Sequence, residues 1–248
     1  MLREFVRLNS RVCSAIERYL PQAKQNMSSL YEEVVAKHML ELERNSVIVD
    51  VGGGEKCAFA EFKPARSRII AVDSSEQELC QNQDVDEIRV ADATKGLPFR
   101  DNEVDMVVSK HVLEHLHDIK GFVLEANRIL KINGYFIHFF PARYALFAIV
   151  NRLIPGRLAQ RLVHSFLPET KGTRRFRAYY DRCFYSGFRS LLSEAGFQVD
   201  KVYVSYYQSH YFSFFVPLFL LSSFYELLLY CISPKDLAAC LLVVARKS

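Results

Sequence analysis

The stretch Val47-Ile48-Val49-Asp50-Val51-Gly52-Gly53-Gly54-Glu55 decides the fold of this chain. Its first half is a short apolar run, as a strand buried on both faces would be, and its second half breaks into a glycine turn. Glycine has no Cβ, so such a turn lets backbone N–H groups come close to a ligand. A second run, Ile69-Ile70-Ala71-Val72-Asp73, ends in an acid twenty-three residues past Asp50. A carboxylate at the end of the next strand can grip a ribose diol. Together the two runs point to a nucleoside-containing cofactor.

The same rhythm continues outward. Strands are expected at 47–51, 68–72, 87–91 and 104–109, then a helix over 111–130 and a strand at 134–140. A helix near 184–195 should stop at Gly196. A strand from Phe197 to about Tyr206 and a last one over Cys240–Ala245 complete the series. Strands alternating with helices or long connections imply parallel pairing with right-handed crossovers. Such sheets bind ligands beyond the carboxyl ends of their strands. Upstream, Leu2, Phe5, Val6, Val12, Cys13, Ile16 and Leu20 recur at helical spacing, which predicts an amphipathic helix packed on the domain. A second helix is expected over Ser29–Leu42, with Ser28 or Ser29 as N-cap and Glu32 closing the cap. The organisation is then N-terminal helices over 1–44 and a core domain over 45–248, interrupted by long connections at 141–180 and 207–238.

Half of the 248 residues are hydrophobic and the net charge is a modest +4, but the charge is unevenly spread. Residues 141–190 hold ten Arg and Lys against only Glu169 and Asp181, so this segment is read as meeting an anionic partner. The six cysteines show no Cys-x-x-Cys spacing and read as reduced thiols of a cytoplasmic protein. The N-terminus lacks a continuous apolar core, and no signal peptide is expected.

Four signatures in register resemble the class I S-adenosylmethionine-dependent methyltransferases, particularly the small-molecule and lipid methylating group. Val49-Asp50-Val51-Gly52-Gly53-Gly54 is similar to that family's first motif. Asp73, followed by Ser74, resembles the acid that holds the ribose. Ala91-Asp92-Ala93 with Leu97-Pro98-Phe99 resembles the adenine-binding stretch. Val104 to Ser109 with Val112-Leu113-Glu114-His115-Leu116 resembles the fourth motif, and Arg128 to Tyr135 the turn into the fifth strand. The resemblance implies a Rossmann-like, doubly wound, mostly parallel seven-stranded sheet and S-adenosyl-L-methionine as cofactor. It assigns cofactor contacts to Asp50, Gly52, Gly53, Gly54, Asp73, Ser74, Asp92, Ala93 and Ser109. One departure stands out: where the family carries a further glycine, this chain has Lys56. A shortened first helix would accommodate it; a non-catalytic protein that kept the fold is the other reading.

A nicotinamide-dependent dehydrogenase fits less well, because Gly52-Gly53-Gly54-Glu55-Lys56-Cys57 breaks the Gly-x-Gly-x-x-Gly spacing. His111-Val112-Leu113-Glu114-His115 matches a zinc-protease pattern, but that site needs a third ligand and a pocket around its helix, so no metal is expected. His111 and His115 are instead the candidate general bases, with His138 a third.

Residues 211–232 carry one charge in twenty-two, which by length alone would span a bilayer. Both ends must return to one sheet, so a single span is ruled out. A lid over the acceptor pocket, a shallow membrane hairpin or an oligomer interface remain. An apolar surface rimmed by Arg and Lys suits an acceptor with a greasy tail and a phosphate, lipid or lipid-linked glycan, methylated on oxygen. It also suits peripheral contact with an anionic membrane face. A soluble small molecule beneath a hydrophobic lid is the alternative. Nucleic acid is disfavoured by the apolar neighbour.

Overall fold

Each apolar run forms a strand, and the strands assemble into one sheet. The computed structural model describes residues 2–153 and 177–248. Strands β1 (Val47–Val51), β2 (Arg68–Asp73), β3 (Glu87–Val90), β4 (Val104–Lys110), β5 (Leu130–Pro141), β6 (Phe197–Ser205) and β7 (Cys240–Lys247) lie in the order β3-β2-β1-β4-β5-β7-β6. All neighbours pair in parallel except β7, which runs antiparallel to both β5 and β6. The expected Rossmann-like, doubly wound, mostly parallel sheet is the fold observed.

Period-two alternation divides the core between the two faces. Val49, Val51, Val107, Phe136, Phe140, Leu241 and Val243 face α4 (Ile119–Ile129) and α6 (Tyr185–Glu194). Ile48, Ile69, Met106, Val108, Ile137, Leu242 and Val244 face α2 (Met27–Met39) with Cys57 and Phe59. The remaining helices among the described residues are α1 (Leu2–Glu17), the short α3 (Glu76–Leu79), α5 (Leu146–Leu153) and α7 (Val216–Ile232).

Two local expectations are corrected. The cap of α2 is Asn26, whose Oδ1 accepts from Ser28 N and Ser29 N at 3.0 and 3.2 Å. Glu32 reaches instead to Lys110 at 2.9 Å. Asn26→Ala leaves two helix-end donors unpaired and should cost about 1 kcal/mol, a melting-temperature drop of ~2–4 °C; an unchanged melting curve would show the cap contributes nothing.

The helix expected over 111–130 starts only at Ile119, capped by Asp118, whose Oδ1 accepts from Gly121 N at 2.8 Å. His111 has φ 59°, incompatible with a helix, and Leu113–His115 make a single 3-10 turn. α1 packs on the domain through α7: Asn9 Oδ1 accepts from Val216 N at 2.9 Å, and Gln22, just beyond α1, donates to Ser223 O at 3.2 Å. Of its apolar residues, Cys13 is buried while Phe5 and Val12 face outward.

Both long connections leave from the carboxyl edge. Ser205 at the end of β6 pairs with Cys240 at the start of β7, which pairs with Pro141 at the end of β5. The apolar insert therefore departs and returns on the edge that carries the glycine turn. No described helix is long and apolar enough to cross a membrane. Much of the basic segment, including Arg157, Arg161, Lys171, Arg174 and Arg175, lies outside the described residues.

Candidate functional site

The site begins where β1 ends. Gly52 N donates to Val72 O at 2.7 Å, folding the turn back across β2. Gly52 has φ 73°, and a Cβ there would sit 2.2 Å from Val112 Cγ2. A Cβ on Gly53 would lie 2.8 Å from Ala71 Cβ and 3.1 Å from Asp50 O, both fixed by central strands. The turn therefore tolerates no side chain at either position. Asn82 holds it from outside, its Nδ2 donating to Gly53 O at 3.0 Å and Gly54 O at 3.2 Å. Asp84 accepts from Cys57 N at 3.0 Å.

No α-helix follows this turn; the connection to β2 contains only a 3-10 turn at Ala60–Phe62. The shortened first helix expected after Lys56 is thus absent, and Pro64 shortly afterwards offers no N–H to extend one. The face it would cover belongs to α2, Cys57 and Phe59.

Asp50 is buried one residue before the end of β1. Burial above all, and then the charge of Asp73, raises its pKa to about 7, while Lys110 opposes the shift. Tyr31 of α2 is also buried, and its hydroxyl has no partner among the described residues. Its ionisation is suppressed first by burial and next by the charge of Asp50. Asp73 ends β2 half-buried, with Oδ1 accepting from Ser75 N at 2.9 Å. Ser74 is exposed beside it. Asp50, the glycine turn and Asp73 thus stand together at the carboxyl ends of adjacent strands.

The other expected contacts are placed less simply. Asp92 follows β3 but closes its own turn: Thr94 N and Oγ1 donate to Oδ1 at 3.0 and 2.7 Å, and Lys95 reaches Oδ2 at 3.0 Å. These contacts, Thr94 first, hold its carboxyl near 2. Ala93 is buried in the core with Leu97 and Leu113. Ser109 is fully buried, its Oγ 2.6 Å from His138 Nδ1, so its side chain is kept inside the sheet.

His138 lies within β5 and not at a strand end. It is wholly enclosed against Phe122 and Phe136, and burial lowers its pKa to about 3. A neutral imidazole so enclosed is no base for an acceptor, which corrects that expectation. His111 and His115 are accessible and flank one carboxylate: Glu114 Oε1 is 3.7 Å from His111 Nδ1 and 3.8 Å from His115 Nε2. His111 rests on Phe139, ring centroids 4.7 Å apart, while His115 Nδ1 lies 3.1 Å from Arg177 O. Glu114 is itself buried, with Oε2 unpartnered among the described residues. Its backbone carbonyl accepts from Tyr179 N and Tyr180 N, tying it to the end of the 141–180 connection. Among the described residues no three His, Cys, Asp or Glu converge as a metal site.

Tyr31, Asn82 and the closeness of the Glu114 carboxylate to both imidazoles were not anticipated. The contacts of Tyr31 and Asn82 with the site come from elements distant in sequence, and only the spacing of Glu114 between two histidines hinted at its place.

Residues 49–138 match a family model described as "Methyltransferase domain". The chain is 28% identical over 116 residues to the uncharacterized methyltransferase YcgJ of Bacillus subtilis (strain 168), covering 43% of this chain and 46% of that protein. It spans about half the length of the curated relatives it matches. Its fold is similar to that of a geranyl diphosphate methyltransferase in complex with S-adenosylmethionine (TM-score 0.56, 12% identity, 89% of this chain and 85% of that one). It is also similar to the [4+2]-cyclase SpnF (TM-score 0.53, 16% identity, 87% and 80%). At such identities the likeness establishes the fold, and these two names show one fold under different reactions.

Proposed function

We propose that this chain, a class I S-adenosylmethionine-dependent methyltransferase by its domain at 49–138 and by its fold, methylates an oxygen of a hydrophobic acceptor, lipid or lipid-linked glycan. One observation carries this reading. Asp50, the Gly52–Gly54 turn and Asp73 converge at the sheet edge from which the apolar insert also leaves. The residues fit the cofactor: Gly52 and Gly53 leave no room for a Cβ, so the turn presents bare backbone, and the Tyr31 hydroxyl, unpaired among the described residues, stands near Asp50.

When bound, S-adenosylmethionine supplies a methyl group already activated by its sulfonium charge. What remains for the protein is positioning and proton removal. The Gly52–Gly54 backbone takes the amino-acid part, Asp50 supplies a counter-charge, and Asp73 accepts from the ribose hydroxyls. His111 receives the acceptor's proton on a ring nitrogen, and Glu114 orients the ring and balances the charge it acquires. The apolar insert excludes water and holds the acceptor's tail, at a membrane face where the acceptor is a lipid.

Incubation with methyl-labelled S-adenosylmethionine and a membrane extract tests this. Label in the organic phase supports the lipid acceptor. Label only in aqueous products favours a soluble acceptor under a lid. Cofactor binding with no transfer to either fraction would leave a non-catalytic protein, the reading that the missing first helix favours. His111→Asn should lower kcat about 100-fold with little change in cofactor affinity. His115→Asn should cost less, since Arg177 O already engages its Nδ1. Equal losses in both would sink the assignment of the base to His111.

A further inference from the structure

The apolar insert folds into a helix that buries its polar side chains and turns a broad apolar face outward. Along α7 the buried positions are Phe219, Ser222, Ser223, Glu226 and Leu229, and Glu226 accepts from Ser209 Oγ at 3.1 Å and Ser222 Oγ at 2.9 Å. The outward positions are Leu220, Leu221, Phe224, Leu227 and Leu228, with Leu221 67% and Phe224 62% exposed. A surface helix of a water-soluble protein has the opposite arrangement, and a contiguous apolar face of this kind marks a contact surface.

α1 lies against this helix and divides into three sectors at ~100° per residue. Asn9 and Cys13 are buried toward the protein. Phe5, Leu8 and Val12 form an outward apolar stripe, continued by Tyr19 just past the helix. Arg3, Arg7, Arg11 and Arg18 are exposed on the remaining side, and none has a carboxylate partner among the described residues. The two apolar faces meet at Phe5 and Phe215, 48% and 42% exposed, with ring centroids 6.4 Å apart.

We propose that α1 and α7 together form a monotopic docking face for an anionic lipid bilayer, Leu221, Phe224 and Leu228 entering the acyl boundary while Arg3, Arg7, Arg11 and Arg18 meet the headgroup phosphates. The charge decides the occupant. An apolar face bordered by a row of arginines is complementary to a negatively charged plane with hydrocarbon beneath it, the pattern of helices lying in a membrane interface. α7 lies in the plane and does not span, because both its ends return to the same edge of the sheet. That edge also carries the glycine turn, so docking would set the site toward the membrane. The proposal deepens the lipid-acceptor reading but stands on surface residues alone.

The test is vesicle flotation of the full chain with phosphatidylcholine, alone or mixed with phosphatidylglycerol, at physiological salt. The wild type should float with the anionic vesicles and far less with the neutral ones. Arg7→Gln/Arg11→Gln should weaken binding about 25-fold, at roughly fivefold per arginine near an anionic surface. Leu221→Ser/Phe224→Ser should abolish it. Both variants change outward side chains, and an unchanged melting temperature checks that they remain folded. A wild type indifferent to lipid, or variants that float as well as it does, would overturn the proposal. So would a concentration-dependent dimer that Leu221→Ser/Phe224→Ser dissolves while vesicles are ignored, which would assign the face to a second copy. S-adenosylmethionine binding, measured on the same samples, reports on the cofactor reading separately.

Discussion

Asp73→Ala is expected to weaken S-adenosylmethionine binding about 10²- to 10⁴-fold while leaving the fold intact. Asp73 ends a central strand, and Ser75 N fixes one of its oxygens at 2.9 Å, which sets the direction of the carboxylate. A carboxylate bridging a ribose diol accepts two charge-assisted hydrogen bonds, each worth about 1.5–3 kcal/mol. Losing both gives the stated range, at ~1.4 kcal/mol per tenfold. Asp73→Asn keeps one good acceptor and should fall between. The fold loses only the bond to Ser75, so the melting curve should shift little. Calorimetric titration is the measurement, and an alanine variant within threefold of the wild type would remove Asp73 from the cofactor site.

The second large effect concerns pH. Asp50 is buried with its pKa raised to about 7, against an ordinary aspartate value of about 4. Between those values the folded protein holds a proton that the unfolded chain has released. Stability therefore falls as pH rises through this window. The contribution is complete below pH ~4 and lost above pH ~7, and three units correspond to roughly 4 kcal/mol. Asp50→Asn is neutral throughout and should be more stable than the wild type at pH 8, and close to it at pH 4. Glu226, raised to about 7 mainly by burial, slopes the same way in both proteins and cancels in the comparison. Urea unfolding at the two pH values decides; parallel pH profiles for both proteins would mean that Asp50 stays ionised in the fold. A cationic cofactor favours the carboxylate, so the wild type should bind it more tightly as pH rises through 7, and Asp50→Asn should show no such rise.

Legibility of the chain varied with the range of the physics involved. Buried parallel strands are apolar on both faces, so Val47–Val51 and Ile69–Val72 announced themselves without help from the rest of the chain. The helix after β4 was misplaced because the 111–116 stretch has helix-compatible residues, and nothing local shows that His111 adopts a left-handed backbone. His138 shares the parity of Phe136 and Phe140, but whether α4 covers that face depends on elements far away. Asn26 lost to two neighbouring serines because all three are good N-caps and only the first turn's geometry chooses among them.

From its sequence alone, this protein was assigned an alternating sheet of seven strands, a glycine turn between two strand-terminal acids, and a charge-poor insert returning to its own edge. Those properties are local: the period of apolar residues, the lack of a Cβ, the run of uncharged side chains. Tertiary structure alone decided which histidines stay accessible, which carboxylate is buried next to a like charge, and that Asn82 clamps the turn. It also decided that Ser222, Ser223 and Glu226 of the insert face inward while Leu220, Leu221, Phe224, Leu227 and Leu228 face out. A hydropathy pattern measures how apolar a helix is, and only packing against a neighbour determines which of its faces meets the protein.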